Sequence, residues 1–123
     1  MSLQVQPSLA SLYIEDETAW LELTSRLVAQ GRFEELDCVN LSEYLNDMAK
    51  RDRREVYSRL RVLLAHLLKW ELQPEQRTNS WRGTIFEQRD ELQKCLESGT
   101  LLRHALEILP EVYTKAVKQA AEE

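Results

Sequence analysis

The chain has 123 residues, 43% of them hydrophobic and 30% charged, with only three glycines and three prolines. This length and composition fit one globular domain with a real core and exclude a disordered or fibrous chain. The scarcity of turn residues argues against a many-stranded β fold, and the net charge of −5 argues against a nucleic-acid partner for the molecule as a whole.

The charge is unevenly spread: −6 over residues 1–50, +4 over 51–89 and −3 over 90–123. Residues 1–11 carry Pro7 and no clear periodicity, so they read as a flexible lead-in to a helical domain over 12–123. Asp16 offers a cap for a first helix, with Trp20, Leu23 and Leu27 as its apolar stripe. Gly31 supplies a left-handed stop. Asn40 followed by Glu43 resembles a capping box, and Leu41, Tyr44, Leu45 and Met48 make one apolar face. Asp52 and Glu55 give a second start signal, which predicts a break between two helices near Arg51.

Val56, Leu60, Leu63, Leu67 and Trp70 recur at spacings of four and three, a strict helical seam. Leu64, Leu68 and Leu72 widen it, which predicts a central helix ended by Pro74. Thr78, Asn79 or Ser80 can cap the next helix, whose stripe is Trp81, Ile85, Gln88, Leu92 and Cys95, with Phe86 and Leu96 added and Gly99 as its end. In the last segment Leu102, Leu106, Leu109, Val112, Ala116 and Ala120 fall on one side, and Pro110 predicts a kink or a restart. The fold class is therefore all-α, a compact bundle of about five helices with mostly antiparallel neighbours.

Signals of catalysis are missing. Neither His66 nor His104 has the Glu three residues before it that a di-iron bundle needs. Cys38 and Cys95 form no paired motif and lack a local base. No phosphate-binding glycine loop or nucleophile elbow occurs. The expectation is thus no catalytic residue, no metal and no cofactor. The absence of a leader pattern, and of any apolar run near the roughly 20 residues of a membrane span, predicts a cytoplasmic protein without a membrane partner.

Two features remain. The basic middle interleaves nine Arg and Lys residues with Tyr57, Trp70 and Trp81, a mixture that suits nucleic acid. Its bland reading is neutralisation by acidic neighbours, with the long side chains covering apolar surface. The second feature is His66 inside a leucine run, with Gln88 on the next seam. A hairpin through Pro74 predicts Trp70 beside Trp81, and His66 hydrogen-bonded to the 81–96 helix near Ile85 and Arg89. Arg59, His66, Trp70, Trp81, Arg82, Gln88 and Arg89 are the candidate polar network or partner site. The ranking that follows puts an interaction module first, acting on an unknown protein partner or as a homodimer. A nucleic-acid binder using 51–89 and an enzyme or ligand binder near His66 and Arg89 follow as alternatives.

The run His66-Leu67-Leu68-Lys69-Trp70, then Gln73-Pro74, Ser80-Trp81, Thr84-Ile85 and Gln88-Arg89, resembles the bacterial family known as domain of unknown function 29. Leu12-Tyr13 with Asp16 and Trp20, the block from Gly31 to Asp37 with Asn40-Leu41, and Ser58-Arg59-Leu60-Arg61 extend the resemblance over nearly the whole chain. Family members are more acidic around Asn40, where this chain has Val39, Tyr44 and Asn46 and keeps Glu43 as the main acid. The resemblance implies an all-helical protein in a bacterial setting and transfers no catalytic residue.

Overall fold

The computed structural model describes residues 8–123. Five helices account for most of them: α1 Leu9–Glu15, α2 Glu17–Ala29, α3 Cys38–Leu72, α4 Asn79–Cys95 and α5 Gly99–Glu122, with short 3-10 turns at Phe33–Glu35 and Pro74–Gln76. No strand occurs among the described residues. The chain packs as two compact units, one up to Met48 and one over Ala49–Glu123.

The first unit forms around Trp20. Residues 1–7 of the expected lead-in lie outside the described residues, whereas Leu9–Ser11 already belong to α1. Ser8 starts that helix by accepting a hydrogen bond from the Ser11 amide at 3.1 Å. Asp16, in non-helical backbone, ends α1 and caps α2 by accepting from the Ala19 amide at 3.1 Å. On α2, Trp20, Thr24 and Leu27 are buried, at the i, i+4, i+7 spacing of one helix face. The Trp20 ring meets Tyr13 edge-on at 4.7 Å and Tyr44 at 5.8 Å. Its indole Nε1 donates to Asp37 at 3.4 Å, so the polar end of a fully buried side chain is satisfied. Gly31 at φ +70° stops the segment in the left-handed region, as expected.

Asp37, rather than Asn40, starts α3. Its carboxylate accepts from the Asn40 amide at 3.3 Å and from the Asn40 side chain at 2.7 Å, while the Leu41 amide donates to the Asp37 carbonyl. The expected break at Arg51 does not occur, because α3 runs unbroken for 35 residues. Asp52 and Glu55 are interior helix residues on exposed or half-exposed positions, and no Gly or Pro interrupts 38–72. Without such a breaker the start signals have no competing conformation to stabilise.

In the second unit Val56, Leu60 and Leu63 of α3, Leu92 of α4, and Ala105 and Val112 of α5 form the buried core. Burial then leaves the seam. Leu67, one turn beyond Leu63, is 40% exposed, while Ala65 and Lys69 are buried. At 100° per residue these two point to the opposite side of α3 from Val56 and Leu60. Thr78 caps α4 by accepting from the Trp81 amide at 3.1 Å. Gly99 does not end α4. That helix finishes at Cys95, and Gly99 is the first residue of α5 behind the Ser98 cap. Pro110 lies inside α5, which passes through it without a restart.

Candidate functional site

Two of the expected polar residues meet. Arg59 on α3 donates to Glu55 at 2.9 Å and to Gln88 on α4 at 3.2 Å, so the seam position of Gln88 is explained by an interhelical hydrogen bond. His66 does not join them. It is half-buried, and its Nδ1 donates to the Val62 carbonyl of its own helix at 2.9 Å, not to any group on α4. The i−4 carbonyl is the nearest acceptor for a ring pointing back along its own helix, and it satisfies His66 locally.

The tryptophans at the hairpin end are met by cations: the Arg77 and Arg82 guanidinium carbons lie 4.8 and 5.6 Å from the Trp70 ring centre, and the Lys69 ammonium lies 4.9 Å from that of Trp81. Arg82 and Arg89 line a shallow outer groove on α4 with Phe86, which is 73% exposed rather than part of the core.

Sequence reasoning missed Lys69. Its side chain is 6% exposed, and its ammonium donates to Glu123 at 2.6 Å. Lys69 holds the Glu123 carboxyl below the ordinary carboxylate value. A carboxyl lowered on folding contributes stability at neutral pH that is lost as pH falls through its folded value. Glu123→Gln should therefore leave a buried ammonium without its anion. The expected loss is about 1–3 kcal/mol at pH 7, below the buried-pair range because Glu123 itself is about half exposed. Thermal melts of both proteins from pH 7 down to pH 3 check this: the wild type should lose its advantage on acidification, and parallel curves would contradict the pairing.

The arginines of α3 do not form one basic face. Arg51, Arg53, Arg54, Arg59 and Arg61 project around the whole circumference at 100° per residue, with Arg59 paired to Glu55. Burial raises the Cys95 thiol above its ordinary value, with Glu55 adding to the effect, which is opposite to the shift of an activated nucleophile. Among the described residues no group of three His, Cys, Asp or Glu side chains could hold a metal ion. No helix among them is long and apolar enough to cross a membrane.

The largest departure from expectation is on α5. Val112, Ala116 and Ala120 are buried as expected, but their inner neighbours toward the N-terminus are Ala105, with Leu101 and Ile108 packed beside the core. Leu102, Leu106 and Leu109, expected inside, are 40–65% exposed, and so are Tyr113 and Val117. These five recur at spacings of four, three, four and four, a second apolar face beside the buried one. It spans about 22 Å along the helix at 1.5 Å per residue.

No curated protein and no solved structure matches the chain. A family profile described as Domain of unknown function DUF29 matches residues 12–123, which is nearly the whole chain. The chain therefore belongs to the DUF29 family.

Proposed function

We propose that this protein is an interaction module that pairs with a second copy of itself through the exposed apolar face of α5. The observation that carries this reading is the stripe Leu102, Leu106, Leu109, Tyr113 and Val117. Scattered exposed apolar residues are ordinary, but a contiguous helical face of five large ones marks an interaction surface. The stripe is nearly symmetric about its own middle. An antiparallel two-fold axis between Leu109 and Pro110 sets Leu102 against Val117 of the second copy, Leu106 against Tyr113, and Leu109 against Pro110. Self-complementarity of this kind is what an isologous dimer requires. The α3 arginines, spread around their helix, give less support to a duplex-binding role, which needs a continuous basic face.

Sedimentation equilibrium tests the proposal. The expected mass rises with protein concentration from 14.4 kDa toward twice that value, and the association strengthens with ionic strength because each copy carries −5. Leu106→Glu, at an exposed position that leaves the core intact, is expected to remain at the monomer mass. A wild-type chain that stays monomeric at about 100 μM, roughly 5 kcal/mol of association, contradicts self-pairing. So does an association that Leu106→Glu leaves unchanged.

A further inference from the structure

We propose that the hollow between Trp70, Arg77 and Arg82 binds the phosphate group of a small phosphorylated ligand. Three observations carry the proposal, and none depends on the α5 face. First, two guanidinium groups converge on one indole. Their Cζ atoms lie 4.8 and 5.6 Å from the Trp70 ring centre and so at most 10.4 Å from each other. Arg77 is held there by its Nε, which donates to the Trp70 carbonyl at 2.8 Å, so its two terminal nitrogens are not used by that bond.

Second, these cations lack anions. Among the described residues neither Arg77 nor Arg82 has a carboxylate within 4.0 Å, as is true of most of the sixteen bases of the chain, and these two are set apart by lining one hollow against the same indole. Two guanidinium groups on the wall of one hollow without a counter-charge favour binding an anion, and the planar guanidinium fork matches phosphate. Third, the pair opens onto a space of about 450 Å³, lined also by Thr78 and Asn79. That volume is many times the roughly 30 Å³ share of a water molecule and admits a ligand larger than phosphate alone. A hydroxyl and a carboxamide at its wall add neutral donors.

The surroundings favour a small ligand over a strand of nucleic acid. The next cation on the outer face of α4 is Arg89, two turns or about 10.5 Å further along the helix, with Asp90 beside it in the same groove. The chain as a whole carries −5, so further phosphates of a polyanion would meet an acidic molecule.

The test is calorimetric titration of the full chain with pyrophosphate, with sulfate and a 20-nucleotide single strand as comparison arms. A parallel ¹⁵N spectrum follows the indole signals of Trp20, Trp70 and Trp81. Pyrophosphate is expected to bind more tightly than sulfate and to shift the Trp70 indole signal while leaving that of buried Trp20 unmoved. Arg77→Gln and Arg82→Gln should each weaken binding about tenfold, and Lys94→Gln, at a paired lysine elsewhere on α4, should leave it unchanged. The indole shift is read on the wild-type chain and so does not depend on any variant folding. Absence of a Trp70 shift up to about 10 mM pyrophosphate, equal binding of sulfate, or indifference to both arginine substitutions overturns the proposal. Tighter binding of the single strand that the same substitutions abolish also overturns it, in favour of a nucleic-acid site.

Discussion

Trp20→Ala is expected to lower the unfolding free energy by about 3–5 kcal/mol, the range for truncating a large buried aromatic. Trp20 has no exposed surface and lies between the rings of Tyr13 and Tyr44, so its removal leaves a cavity bordered by three segments of the first unit. It also removes one of the two donors to Asp37 Oδ2, which still accepts from the Asn40 side chain at 2.7 Å. Trp20→Phe separates the two contributions. It keeps most of the ring contact and loses the hydrogen bond, so its expected cost is smaller than that of alanine. Urea denaturation followed by circular dichroism measures both. A loss below about 1 kcal/mol for Trp20→Ala would mean that the unit is not organised around this ring.

The second large effect is at Leu63. It is buried at the centre of the α3, α4 and α5 core, and Leu63→Ala is expected to cost about 2–5 kcal/mol. Leu67 makes the informative comparison. It has the same side chain, on the same helix, in the same sequence seam, yet it is 40% exposed. Leu67→Ala is expected to cost less than about 1 kcal/mol. Equal losses at the two positions would show that the seam stays buried past Leu63 and that Lys69 is not inside. The contrast tests burial directly, because helix propensity and side-chain chemistry cancel between the two variants.

Much of the fold was legible because local signals and tertiary packing agree. Asp16, Gly31 and Thr78 act as the caps and stop that their chemistry suggests. The α4 stripe Trp81, Ile85, Gln88, Leu92 and Cys95 is the inner face of that helix, and of the two residues added to it Leu96 packs beside the core while Phe86 is exposed. The errors over which face of α3 and α5 turns inward share one physical origin. Where an apolar arc is broader than the surface available to cover it, periodicity cannot say which part faces inward. On α5 the arc runs from Leu101 and Ala105 round to Tyr113 and Val117, and the sequence pointed to Leu102, Leu106 and Leu109 where the core takes Leu101, Ala105 and Ile108. On α3 the same ambiguity placed Leu67 inside and left Lys69 unnoticed.

The site was legible only in fragments. Arg59 and Gln88 do meet, and Arg82 does reach Trp70, since each pair is brought together by the α3–α4 hairpin. His66 misled because an imidazole among leucines suggests a distant partner, whereas the carbonyl four residues earlier is close enough to satisfy it. Arg77 carried no signal of its own. It lies in the short connection between α3 and α4, and only its bond to the Trp70 carbonyl brings it onto the ring. Loop residues of this kind have no periodicity from which a neighbour could be inferred.

Self-docking through the outer face of α5, as proposed, has a positional signature. Site-specific photocrosslinking tests it most directly, with benzoylphenylalanine placed at Leu106 on the stripe or at Glu111 on the charged side of the same helix. The expected result is a covalent product of twice the chain mass from position 106, joined at the α5 segment around Tyr113, and none from position 111. Crosslinking of equal yield from both positions, or a product from 106 joined outside α5, would contradict the account.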